Sequence, residues 1–138
     1  MKHARVAEKA RIVAETIRRA GNYRWVGLYD VADHHITAVA WTGLNAPENP
    51  RFADTAGING RAVHNRRTVI VSDVLLDPDY LTTFSSTRSE MVVPICDLSS
   101  RVFGTIDVES DRVNAFTLRD IEFVETWARA AAPLWFLP

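Results

Sequence analysis

The chain has one cysteine, Cys96. A single thiol excludes an internal disulfide and a multi-cysteine zinc site. Long apolar runs are missing too, and none approaches the roughly 20 residues needed to span a bilayer. No membrane partner is expected. The N-terminus, Met1-Lys2-His3-Ala4-Arg5, leads into a charged amphipathic stretch and not an apolar signal core, so the expected location is cytoplasmic. There is no excess of either charge: Lys+Arg is 16, Asp+Glu is 17 and the formal net charge is −1. Nucleic-acid binders usually carry a basic surplus, and Arg66-Arg67 is too short a basic step to replace one. Internal repeats and low-complexity segments are absent. What remains is a chain of 138 residues, 47% hydrophobic and 24% charged. That is the length and composition of one soluble domain, expected over 1–138. A chain of this size buries about two-thirds of its unfolded surface and needs no covalent staples.

The pattern along the chain predicts alternating helices and hairpins. Val6, Ala10, Val13 and Ile17 recur at helical spacing, which puts a helix over 2–20 that stops at Gly21-Asn22. Residues 23–31 and 36–42 are rich in aromatic and branched side chains and read as two strands. The short Ala32-Asp33-His34-His35 connection makes them an antiparallel hairpin. Residues 43–57, with Gly43, Pro47, Pro50 and Gly57, have the chemistry of a loop. A short helix is expected over 57–65, a strand over 68–71, and a long polar connection over 72–88, of the length that often serves function. Residues 89–96 and 102–110 form a second hairpin, with Pro94 marking an edge or a bulge. Thr117 caps a last helix, with Asp120 three residues on. The order predicts an α+β fold: an antiparallel sheet, the terminal helices on one face, and the short helix and the loop 72–88 covering the other. A sheet face half covered by a loop is a natural place for a ligand pocket.

Five residues are candidates for lining it. Asp107 and Glu109 are two apart on a strand and share a face with Thr105 and Phe103, while Ile106 and Val108 turn to the core. Two carboxylates on one face repel unless a positive group lies between them. That group is either a ligand ammonium or an arginine such as Arg61 or Arg88 on a solvated face. Trp25 and Tyr29 are four apart on a strand, with Gly27 between them leaving space, as where a ligand or backbone approaches closely. Rings beside acids suit a cationic or zwitterionic ligand; alternatively the rings simply pack beneath the loop. Glu90 joins the set through the family resemblance given below. Cys96 lies six residues from Glu90, roughly 20 Å along a strand. It shares Glu90's face in an ideal strand but is too distant to serve a site centred there, and reads as a packed, inert thiol. His34 and His35 diverge in a turn and His64 stands alone, so neither a metal site nor a cofactor is expected. The apolar end, Trp127 to Phe136 with Leu134-Trp135-Phe136-Leu137, either tucks onto its own sheet or joins a homodimer through the terminal helices.

Taken together, several stretches resemble the GAF domain family. They are Arg24-Trp25-Val26-Gly27-Leu28-Tyr29, Gly57-Ile58-Asn59-Gly60, Val71-Ser72-Asp73-Val74 with Asp77-Pro78-Asp79-Tyr80, Ser89-Glu90-Met91-Val92-Val93-Pro94-Ile95 and Val102 through Ser110. Phe116 followed by Asp120 fits the family's entry to its final helix. The resemblance implies a small-molecule pocket and, in many members, dimerisation through the terminal helices. Within the family the sequence is most similar to the free methionine-R-sulfoxide reductases, which are short stand-alone domains. Trp25, Tyr29, Glu90, Asp107 and Glu109 fall where those enzymes line their substrate pocket. Their cysteines fall on Asn59, near Val69, and on Thr83, none of which is a thiol here. Sulfoxide reduction needs an attacking thiolate and a resolving thiol, so no catalytic residue is assigned. The expectation is a stand-alone, non-catalytic small-molecule-binding domain in a sensory or regulatory setting, with a polar or cationic ligand and loop 72–88 as its lid. The alternatives are a free methionine-R-sulfoxide reductase-like enzyme, or a dimerisation module with a vestigial pocket.

Overall fold

A computed structural model describes residues 2–135, with side chains from 6 to 134. Phe136 and Leu137 of the apolar end lie outside the described residues. Helix α1 (Lys2–Gly21) is followed by β1 (Trp25–Ala32), β2 (His35–Thr42), β3 (Arg51–Ala53), α2 (Gly57–Asn65), β4 (Val69–Val71), β5 (Ser89–Cys96), β6 (Val102–Ser110) and α3 (Leu118–Ala131). Two 3-10 turns, Val74–Leu76 and Ala132–Trp135, complete the order. The strands form one six-stranded sheet in the order β3-β2-β1-β6-β5-β4, and every pairing is antiparallel. This is the expected α+β arrangement.

Local chemistry accounts for most of the boundaries. Asp33 and His34 both take positive φ, 52° and 63°, which gives the two-residue turn whose twist suits a β1–β2 hairpin. Thr117 and Asp120 form a reciprocal capping box at the start of α3. Tyr23 donates to Asp120 Oδ1 at 2.7 Å and so ties the start of β1 to that cap. Pro94 sits beyond the end of β4, which pairs only with 90–92 of β5. The neighbour that would need its missing N–H is absent there. The expected loop 43–57 is corrected in one respect: Arg51–Ala53 forms an edge strand against β2. Three residues after a proline carry too little alternation to announce a strand.

The main core lies between the sheet and the terminal helices. Val26 and Leu28 of β1, Met91, Val93 and Ile95 of β5, and Ile106 and Val108 of β6 pack on Ala10, Ala14 and Ile17 of α1 and Val124, Ala128 and Ala131 of α3. The opposite face of the same strands is covered by α2 and by residues 72–88, as the sequence predicts.

Candidate functional site

Strand alternation carries the site. Ile106 and Val108 face the helices, so Thr105, Asp107 and Glu109 face the loop side, and all three are buried. Glu90 pairs directly opposite Glu109 across β5 and β6, and Val92 opposite Asp107. Glu90, Asp107 and Glu109 thereby meet, with carboxylate oxygens within 4.8 Å of one another. Trp25 pairs with Glu109 and Gly27 with Asp107 on the other side of β6. Trp25 and Tyr29 are buried in one cluster with Ile36. The five residues singled out from the sequence therefore stand on three adjacent strands, on one side of the sheet.

Neither arginine considered as a counter-charge is there. Arg61 forks onto Asp77 at 2.7 and 2.9 Å and reaches Asp79 at 3.0 Å. Arg88 pairs with Asp73 at 3.3 Å. Both pairs pin the covering loop instead: Arg61 ties 77–79 to α2, and Arg88 ties Asp73 to the start of β5. The acids are held by neutral donors. Asn59 of α2 gives its amide N–H to Asp107 Oδ2 at 3.1 Å and accepts from Thr105 at 2.6 Å. Thr87 donates to Glu109 Oε1 at 2.8 Å. The Tyr80 hydroxyl lies 3.5 Å from the same oxygen and accepts the Thr83 N–H at 3.1 Å. Asp107 Oδ1 and Glu109 Oε2 are buried without a partner.

The electrostatics follow from that crowding. Burial, then the charges of Asp107 and Glu109, pushes Glu90 well above the usual carboxylate range. Burial also raises Asp107, and burial followed by Asp107 raises Glu109. Each of the three therefore keeps its proton to a higher pH than an exposed carboxyl does. Tyr29 is pushed well above the ordinary phenol value by burial and by the same acids.

The aromatic wall differs from its expectation in one respect. A Cβ on Gly27 would stand 2.3 Å from the Trp25 indole. The space beside Gly27 is filled by Trp25 itself and not left for a ligand. The indole N–H donates to the Asn45 carbonyl at 3.2 Å, and the ring meets Phe84 of the covering loop edge-on at 5.3 Å. Tyr29 tilts against Phe52 of β3 at 5.9 Å. A cavity of about 10 Å³ remains, bounded by Tyr29, Asn59, Thr83 and Glu90 among others. That is room for about one water.

Two of the positions that resemble the reductase cysteines, Asn59 and Thr83, border this cavity, while Val69 packs in the cluster beneath α2. Cys96 lies elsewhere. Cys96 pairs with Val102 directly after Ile95 pairs with Gly104, so the extra residue at this irregularity is Phe103 on β6. Cys96 lines an open groove of about 1000 Å³ beside α3, with Val93, Ala128 and Ala132. Burial, then Asp97, raises its thiol pKa. His34, by contrast, is an exposed turn residue as expected, 3.9 Å from Asp54. Sequence reasoning missed Asn59, Tyr80 and Thr87 as holders of the acids. The available signal was the run of hydroxyl-bearing residues from Tyr80 to Thr87 placed over a strand of paired acids.

Comparison with known proteins fits this geometry. The chain is 28% identical over 120 residues to GAF domain-containing protein A of Dictyostelium discoideum, covering 86% of this chain and 73% of the relative. It is 34% identical over 73 residues to the free methionine-R-sulfoxide reductase of Saccharomyces cerevisiae, but that match spans 53% of this chain and 41% of the enzyme. The solved type II free methionine-R-sulfoxide reductase of Thermoplasma acidophilum superposes with a TM-score of 0.90 at 27% identity, over 97% of this chain and 94% of that one. No helix among the described residues is long and apolar enough to cross a membrane. The GAF domain profile matches residues 3–134, and the chain belongs to that family.

Proposed function

We propose that this protein binds a small polar or cationic molecule beneath the loop 72–88, in a sensory or regulatory setting, without catalysing its conversion. One observation carries the reading: Glu90, Asp107 and Glu109 are buried together, and none of the groups that shift their pKa values is a cation. Burying like charges side by side costs stability unless a partner compensates, and a ligand cation supplies one. Trp25 and Tyr29 form the wall, and the acids accept from the ligand. The roughly 10 Å³ cavity is too small for an amino acid, so the loop opens for entry and closes by returning Phe84, Thr87 and Tyr80 to their contacts. The test is a thermal-shift screen of amino acids, amines and nucleotides. The expected result is a rise in Tm with a cationic or zwitterionic compound that Glu109→Gln abolishes. Silence across the panel overturns the reading and favours a dimerisation module. A homodimer through α1 and α3 belongs to the same proposal and is read by light scattering.

The yeast and Thermoplasma reductases support a second reading, reduction of free methionine R-sulfoxide. It requires a thiolate to attack the sulfoxide sulfur and a second thiol to resolve the product. Asn59, Val69 and Thr83 supply none, and Cys96 lines a groove beside α3. A thioredoxin assay coupled to NADPH separates the two readings. No turnover is expected, and turnover that survives Cys96→Ser overturns the non-catalytic reading.

A further inference from the structure

The groove beside α3 shares no residue with the buried acids, and the function proposed above makes no use of it. Its origin lies in the end of a strand. β4 pairs with 90–92 of β5, in a register that would set Thr68 opposite Val93 and Arg67 opposite Pro94 if it continued. It does not continue. Pro94 offers no N–H to a neighbour, and Arg66 ends α2 with a left-handed φ of 56°. The chain leaves the sheet here, and β5 from Val93 to Cys96 has no strand on that side. The open space of about 1000 Å³ lies between this bare edge and α3. We propose that the groove binds a free, singly charged anionic amphiphile: a carboxylate on a short alkyl or aryl body.

Floor and rim call for different halves of such a molecule. Val93 and Pro94 of β5 and Ala128 and Ala132 of α3 give an apolar floor, and Leu98 stands fully exposed at the rim in the β5–β6 turn. An apolar body laid there takes both from water. Arg66, Arg67 and Arg129 line the same groove and are exposed. Arg61 and Arg88 hold loop carboxylates, but these three hold none among the described residues. Arg129 gives a hydrogen bond only to Thr126 Oγ1, at 3.2 Å. The two acids of the lining are engaged by neutral donors. Glu125 accepts from Thr68 at 2.6 Å, and Asp97 accepts the N–H groups of Ser99 and Arg101 at 2.8 and 2.9 Å. Three guanidiniums against two carboxylates leave one positive charge, which one ligand carboxylate balances. Guanidinium binds carboxylate through paired, charge-assisted hydrogen bonds. Its field reaches the floor: burial and then Asp97 raise the Cys96 thiol pKa, and Arg66 pulls it down. Apolar walls with a few polar groups that fix orientation are the usual build of a small-molecule site, and the volume falls at the upper end of the roughly 300–1,000 Å³ such sites span.

Cys96 is the chain's one thiol and lines the groove, so its alkylation by iodoacetamide reports occupancy there. The experiment titrates the full chain with octanoate, 1-octanol and octylammonium, which share one alkyl chain and differ in head-group charge. Binding is read by calorimetry and by the alkylation rate of Cys96, which separates the groove from the acid site. Octanoate is expected to slow alkylation saturably and to bind about 10-fold or more tighter than 1-octanol, and octylammonium to give no protection. In the triple variant Arg66→Gln, Arg67→Gln, Arg129→Gln, octanoate should fall to the level of 1-octanol. Circular dichroism melts establish that the variant is folded, and the head-group comparison on the native protein stands without it. Absence of saturable protection overturns the proposal. So does equal protection by the three compounds, or a triple variant that keeps the preference for octanoate. Protection of Cys96 that grows with protein concentration and needs no added compound makes the groove an interface between two copies, and overturns it as well.

Discussion

On the helix side of β1, β5 and β6, the residues are Val26, Leu28, Met91, Val93, Ile106 and Val108, packed on apolar helix faces. On the loop side, one residue further along the same strands, stand Trp25, Glu90, Asp107 and Glu109. Both sides are equally dry, and only one is built for stability. The helix side buries methyl groups that need nothing in return. The loop side buries carboxylates that retain protons, with two oxygens unpartnered. A protein selected only to fold would not keep that second arrangement, because well-packed apolar residues in place of buried ionic groups are often neutral or stabilising.

Substitutions separate the two sides by sign. The largest effect is expected on the helix side, where Ile106→Ala removes a fully buried side chain and costs about 2–5 kcal/mol in denaturant unfolding. Little or no loss would mean that the helices do not carry the fold. Gly27→Ala comes next. Its Cβ collides with the buried Trp25 ring, and overpacking of this kind costs about 1–3 kcal/mol. The same variant should change tryptophan fluorescence, and an unchanged spectrum would contradict the placement of the indole. Thr117→Ala, which removes the cap of α3, should cost about 1 kcal/mol, read as a lower midpoint in urea.

The two sides also titrate in opposite directions. Unfolded carboxyls ionise near about pH 4, whereas the folded trio holds protons to higher pH. Folded protein therefore binds more protons in that window. The stabilisation is complete below about pH 4 and is lost as pH rises through the folded values. Asp120 runs the other way. Burial raises it, but the hydrogen bonds from Tyr23 and Thr117 outweigh burial and hold it below the ordinary value. Its contribution is present above about pH 4 and lost as pH falls. In metal-free buffer, stability should decline as pH rises from about 4 through the raised folded values, and Glu90→Gln should flatten that decline. A rising profile in that range would contradict the burial of the trio.

The helices and hairpins were legible because local signals agree with the fold. Thr117 with Asp120, the paired turn at Asp33-His34 and the alternation at 105–109 each have a short-range cause. Strand alternation also put Asp107 and Glu109 on one face, and similarity to the family brought Glu90, Trp25 and Tyr29 to them. What could not be read was set by distant partners. Asn59 reaches Asp107 across 48 residues of sequence and Thr87 reaches Glu109 across 22. Arg61 turns outward because Asp77 and Asp79 await it in the loop. The shift between Ile95 and Cys96, with Phe103 the extra residue on β6, is a bulge that no composition signals.

The account stands on the claim that the buried acids are kept for binding and not for folding. Its most direct test is equilibrium unfolding of Glu109→Gln beside the native protein at about pH 8, with no ligand and with metal chelated. The account predicts that the variant is more stable, by about 1 kcal/mol for each pH unit over which Glu109 holds its proton. A variant less stable than the native protein would make the carboxylate part of the scaffold and contradict the claim.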